Sequence, residues 1–294
     1  MELRRIVSHA IRAVRNEPAV RRAILRSKKL GTNPADWFLG IDDDTWFWMN
    51  TTGPRLRKPL AGLVAGMPEA SLQEMFTGHS GTSTLREGFN AYRIVKKYYE
   101  TNVGPIGSCR GVLDFGCGWG RIIRFFLRDV TPQNLTGVDH SEEVIRICQE
   151  TNRWCNFRLI EPYPPMPFEA NSFDLIYLYS VFSHLPEEMH WTLLREFRRL
   201  LTPGGMLIAT TRARAFIQTC KAFVNMEATT AAYDHGDFCY VSHGVTGRWA
   251  FWGEACIPKG YVTRRWPEIF NVCDYIENDE TDHLQNFIVA RKPT

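Results

Sequence analysis

The sequence predicts an α/β protein on a doubly wound, mostly parallel sheet. From residue 111 onward, short apolar runs alternate with stretches of helical periodicity. A glycine turn, Gly116-Cys117-Gly118-Trp119-Gly120, follows the first run, and the second run closes on an acid, Asp139. Alternating elements of this size bury a parallel sheet between two helical layers.

Taken in order, Gly111–Phe115 reads as a buried strand. Trp119–Asp129 reads as a helix, with Ile122, Ile123, Phe125 and Phe126 inward and Arg121, Arg124 and Arg128 on the wet face. Leu135–Asp139 is the second strand. Ser141 is placed to cap the next helix, with Glu142 and Glu143 in its first turn and its end near Arg153. Phe157–Glu161 is the third strand, and Pro162, Pro164, Pro165 and Pro167 then forbid regular structure. Asp174–Ser180 is an uninterrupted apolar strand, and Leu185 to Leu201 carry a helical stripe. Pro203-Gly204-Gly205 turns the chain into Met206–Thr210. Val272–Ile276 and Asn286–Arg291 close the chain. So short a connection, with an acidic turn at Glu277–Asp282, makes them an antiparallel pair.

The 294 residues divide into an N-terminal helical and irregular extension, 1–85, and a main domain, 86–294, with 212–258 inserted between the fifth strand and the last helix. The extension opens on a basic amphipathic stretch, 1–30, with Arg4, Arg5, Arg12, Arg15, Arg21, Arg22, Arg26, Lys28 and Lys29 against Glu2 and Glu17. Such a helix docks its apolar stripe on the main domain or lies on an anionic membrane surface. An organellar targeting segment has a similar composition. The cluster Trp46-Phe47-Trp48-Met49 reads as a hydrophobic plug under a loop or as a binding surface.

Net charge is +3, from 35 basic and 32 acidic side chains, too small to point to nucleic acid, and the basic residues cluster outside any nucleic-acid module. The 8 cysteines form no CxxC pair and no metal site is expected. The absence of a secretory signal and of a long apolar run predicts a cytoplasmic protein with free thiols, with a peripheral membrane position the alternative.

The glycine turn lies where a doubly wound sheet binds ligands, at the carboxyl end of a strand. Glycine admits close backbone approach and positive φ, and a following helix N-terminus offers unpaired N–H groups. The spacing is GxGxG, with Arg121 where the dinucleotide fingerprint places its third glycine. Asp139 can accept two hydrogen bonds from a ribose, whichever cofactor carries it. These features specify a nucleoside cofactor and lean away from NAD.

The chain resembles the class I S-adenosylmethionine-dependent methyltransferases. The resemblance rests on VLDFGCGWGR (112–121), LTGVD (135–139), NSFDLIYLYSVFSHL (171–185) and LREFRRLLTPGGMLIATT (194–211), in the family's order and spacing. PPMPF (164–168), VFSHL (181–185) and QNFIV (285–289) resemble motifs of a subgroup. The resemblance implies a Rossmann-like sheet of seven strands with the last antiparallel. It implies S-adenosyl-L-methionine as cofactor, with Gly116, Cys117, Gly118 and Gly120 passing under its methionine part and Asp114 near its amino group. Asp139 would hold the ribose, His140 would flank the adenine, Glu161 would stand near the adenine amine, and Ser180 would border the methionine moiety.

Methyl transfer to a hydroxyl needs a base, and His184, in the loop after the fourth strand, is the candidate. Further candidates lie in the insert: Asp234, His235, Asp237, Tyr240, His243, Trp249 and Trp252. A connection of this length often forms a lid or substrate wall. The expected activity is O-methylation of a small polar, glycan-like or specialised-metabolite acceptor. The alternatives are N-methylation of a small molecule, or a cofactor-binding protein with altered chemistry acting as a peripheral membrane adaptor.

Overall fold

The structure, a computed structural model, describes residues 17–29, 33–247, 250–277 and 285–294. Seven strands form one sheet: β1 (Val112–Phe115), β2 (Leu135–Asp139), β3 (Asn156–Leu159), β4 (Phe173–Leu178), β5 (Leu201–Arg212), β8 (Asn271–Ile276) and β9 (Gln285–Arg291). A separate hairpin pairs β6 (Cys239–Ser242) with β7 (Gly253–Cys256). The sheet order is β3-β2-β1-β4-β5-β9-β8. β9 runs antiparallel to both its neighbours, and the other pairings are parallel. The chain reverses direction across the sheet between β1 and β4, so a crevice opens at their carboxyl ends.

The strands are apolar because both faces are covered. All four residues of β1 and all five of β2 are buried. One face packs on the helices Glu142–Thr151 and Thr82–Asn102. On the other, Met189, Leu193, Leu194, Phe197 and Leu200 of the helix Glu187–Leu200 fill the contact. Ser141 caps the helix Glu142–Thr151, its side chain accepting from Val144 N, as expected from the sequence.

The segment after the glycine turn departs from expectation. No α-helix starts at Trp119; a 3₁₀ helix spans Ile123–Arg128. Its three arginines are not on a wet face. Arg124 is 1% exposed and donates to the carbonyls of Gly120 (3.2 Å) and Gly66 (2.7 Å). Arg128 reaches Asp43 (2.7 Å) and the Ile41 carbonyl (3.2 Å), and Arg121 reaches Glu87 (3.2 Å). Helical periodicity places a side chain on a face but cannot say what covers that face. Here the N-terminal segment covers it, and its carbonyls and carboxylates receive the guanidinium groups.

Residues 33–102 therefore share one core with the sheet. Trp46, Phe47, Trp48 and Met49 are all buried, and Trp46 Nε1 donates to the Phe125 carbonyl at 3.0 Å. Four such side chains at about 1.5–3 kcal/mol each dock the segment firmly. The helix Thr82–Asn102 runs through the boundary expected between residues 85 and 86. Of the basic stretch, residues 1–16 and 30 lie outside the described residues. The helix Glu17–Ser27 buries Val20 and Ala23 against the same core. Among the described residues no helix is long and apolar enough to cross a membrane.

The insert, 212–258, carries its own small core of Ile217, Phe223, Tyr233, Cys239 and Cys256. Its hairpin β6–β7 leans on the loop after β4.

Candidate active site

A cavity of about 640 Å³ opens at the carboxyl ends of β1, β2, β4 and β5. Gly116, Cys117, Gly118, Asp114, Asp139, His140, Ser180 and His184 all line it. Gly120 lies behind the turn, at φ +74°, against Phe157. Glu161 is exposed and does not line the cavity; the neighbouring Ile160 and Pro162 do. The strand ends at Leu159, two residues before Glu161, and the chain has already turned outward there. Where the resemblance implied an acid, Ile160 and Pro162 give the cavity an apolar wall.

The turn is shaped for a close ligand. Gly116 and Gly118 adopt φ of +70° and +49°. A Cβ on Gly116 would fall 2.5 Å from Val181 Cγ2, so no larger residue fits. Asp139, 6% exposed, has one oxygen on Gly118 N–H (3.1 Å) and the other on Ser141 N–H (3.1 Å). These bonds aim the carboxylate, and its remaining lone pairs suit a diol. Below it Asp114 is buried, and its Oδ2 has no hydrogen-bond partner. Burial pushes the Asp114 carboxyl up to about 7, against the pull of the Tyr177 hydroxyl and Arg121; Asp139 adds to the rise. A buried acceptor without a donor is suited to an ammonium group. Diol acceptor, glycine cradle and one unpartnered carboxylate oxygen together fit the ribose and amino-acid parts of S-adenosylmethionine.

The far end is polar and rests on two arginine–carboxylate pairs. Arg212, closing β5, donates through Nε to Glu254 of β7 (3.3 Å), with Nη2 3.4 Å from His184 Nε2. Glu254 also approaches His243 Nε2 (3.4 Å) and His184 Nδ1 (3.7 Å). His184 Nδ1 lies 3.0 Å from the Gly253 carbonyl, and its ring stacks on Trp252 at 4.4 Å with the planes 6° apart. Donation to that carbonyl puts the proton on Nδ1 and leaves Nε2 facing Arg212. Burial lowers the His184 pKa below its ordinary value; Glu254 opposes this and Arg212 adds to it. The cavity is also lined by Arg121, Glu87, Tyr179 and His79.

Of the insert candidates, Trp252 lines the cavity and His243 stands behind Glu254. Asp234 pairs with Arg214 and His235 with Asp237, both exposed; Tyr240 bonds the Phe251 carbonyl; Trp249 lies outside the described residues. Sequence reading missed Glu87, Arg121, Arg212 and Glu254. Arg121 closes a resembling block (112–121), and Arg212 lies one residue past another (194–211), at the end of β5. Glu87 and Glu254 carry no local signal, since each reaches the site from a segment outside the matching blocks.

Residues 112–205 match the family model described as a methyltransferase domain. The chain carries a methyltransferase domain. This domain is similar to an uncharacterized methyltransferase of Schizosaccharomyces pombe, 32% identical over 105 residues, covering 32% of this chain and 37% of that protein. A demethylmenaquinone methyltransferase of Staphylococcus aureus is 28% identical over 123 residues, 41% of this chain and 50% of that protein. The chain thus spans half or less of the length of these curated relatives. Among solved structures, a Listeria monocytogenes protein assigned to the S-adenosylmethionine-dependent methyltransferases superposes with a TM-score of 0.50 at 11% identity, over 71% of this chain and 99% of that one. That likeness is one of fold. The methyltransferase domain contributes the glycine turn, Asp139 and the loop after β4; Glu87 and Glu254 come from outside it.

Proposed function

We propose that the protein is an S-adenosylmethionine-dependent methyltransferase that methylates oxygen on a small, polar, hydroxylated or glycan-like acceptor. The observation that carries this reading is the joint placement of Asp139, the Gly116–Gly120 turn and the unpartnered Asp114 Oδ2 in one cavity. The cofactor, when bound, supplies a methyl group already activated on a sulfonium. The residues have four tasks: to hold it, to orient the acceptor behind the methyl, to exclude water and to receive one proton. Asp139 and Asp114 do the first. Trp252, flat on His184, offers a stacking surface for an aromatic or sugar ring, and Arg212 and Gln285 offer hydrogen bonds beside it. The arginines at this end are each matched by a glutamate, so the wall has no excess charge, which favours a neutral acceptor over a carboxylate or phosphate. Side chains in the lining able to receive the proton include His184 and Glu87.

Calorimetry with S-adenosylhomocysteine tests the cofactor. Transfer of labelled methyl to small-molecule fractions of a cell extract tests the reaction. Failure to bind S-adenosylhomocysteine at millimolar concentration sinks the proposal; label appearing on nitrogen rather than oxygen of the product sinks its oxygen specificity.

A further inference from the structure

We propose that Glu87, carried by the helix Thr82–Asn102, is the catalytic base for the acceptor hydroxyl, and that His79 passes the proton to solvent. This rests on the methyl-transfer reading above.

The geometry singles out this carboxylate. Glu87 lines the cavity with its side chain 10% exposed. Arg121 Nη2 donates to its Oε1 (3.2 Å), Arg121 Nη1 lies 3.2 Å from its Oε2, and Tyr179 stands close by, its hydroxyl's pKa raised by burial and by Glu87. The Arg121 guanidinium sits 5.0 Å over the Tyr179 ring. His79 Nε2 lies 3.6 Å from Glu87 Oε2, and His79 is 42% exposed. The chain Glu87–His79 therefore runs from the cavity wall to water. His184, which also lines the cavity, has one ring nitrogen on the Gly253 carbonyl, the other facing Arg212, and a ring face on Trp252. It is held for orientation, while Glu87 presents acceptor-only oxygens.

The placement of Glu87 is built in. Its neighbour Gly88 meets the backbone of the turn: a Cβ there would lie 2.7 Å from the Arg121 carbonyl oxygen. Glycine lets the helix approach this closely and delivers Glu87 to the wall.

The step balances. A bond forms between the acceptor oxygen and the methyl carbon, the carbon–sulfur bond breaks with its electron pair left on sulfur, and the O–H proton moves to Glu87. A hydroxyl becomes strongly acidic as its oxygen takes a third bond, so a carboxylate serves as the base. Glu87 returns the proton to water through His79.

The test compares wild type, Glu87→Gln and Glu87→Asp in labelled-methyl transfer to extract fractions, with S-adenosylhomocysteine affinity measured on each. Glu87→Gln is expected to lower transfer at least about 10²-fold while affinity stays within about twofold, and Glu87→Asp to recover part of the rate. Wild-type transfer by Glu87→Gln overturns the proposal, as does a loss of cofactor affinity matching the loss of rate. Wild-type protein that binds S-adenosylhomocysteine but labels no fraction overturns instead the methyl-transfer reading beneath it.

Discussion

Gly88 rests directly on the backbone of Arg121, with room for no side chain between them. The contact joins the N-terminal helix to the end of the glycine turn, so a segment outside the methyltransferase domain sets the shape of the cavity. Gly88→Ala weighs two effects. Helix propensity favours alanine by about 1 kcal/mol. Overpacking against a backbone carbonyl costs about 1–3 kcal/mol. The steric effect wins because the obstacle is backbone. The variant should melt several degrees lower and bind S-adenosylhomocysteine more weakly. A variant more stable than wild type shows that the helix moves freely and the contact does not shape the site.

Asp139 both accepts from Gly118 N–H and faces the cavity. Asp139→Ala removes the tether of the turn and the acceptors for a ribose diol. Charged hydrogen bonds contribute about 1.5–3 kcal/mol each, so S-adenosylhomocysteine affinity should drop at least about tenfold. An unchanged Kd in calorimetry rules out Asp139 as the ribose ligand.

Burial disfavours the Asp114 charge and pushes its carboxyl up to about 7. An ammonium group beside it favours the charged form, so binding S-adenosylhomocysteine releases a proton. Affinity should rise with pH up to about 7 and level off above. Calorimetry in two buffers of different ionisation enthalpy counts the proton. For stability the sign is set by a folded pKa above the unfolded one. The neutral carboxyl stabilises fully below about 4, and that contribution is lost as pH rises towards 7. Urea melts of Asp114→Asn should lack this loss. Absence of proton release places the ammonium elsewhere.

His190 is a core histidine: fully buried, it accepts from Trp266 Nε1 at 3.2 Å, and burial lowers its pKa to about 3. A lowered pKa gives stability that is complete above about 6.5 and is lost as pH falls towards 3. From pH 6.5 to 5 the loss is about 2 kcal/mol. His190→Gln keeps an acceptor for Trp266 and should flatten this acid dependence in urea melts. The same slope in variant and wild type shows that another group governs it.

The strand–helix alternation was readable because apolar runs at 112–115, 135–139 and 173–178 are bounded by turn residues, and the closing antiparallel pair because its connection is too short for a crossover. The wet face assigned to Arg121, Arg124 and Arg128 failed for a physical reason. Periodicity reports which side chains share a face, and arginine is readable as exposed only when nothing is known to cover it. Glu161 lies exposed and outside the cavity lining, since a motif position two residues past a strand end does not say which way the chain turns.

The sequence by itself determined the sheet, the glycine turn and the acid at its second strand, because these depend on residues near one another and on backbone conformations that few residues allow. Only the tertiary structure decided the acceptor wall. Glu87 and Glu254 lie 167 positions apart, each in a segment without a motif, and each meets an arginine of the central domain by packing alone. A buried carboxylate needs a partner, but local sequence does not record which distant arginine it finds.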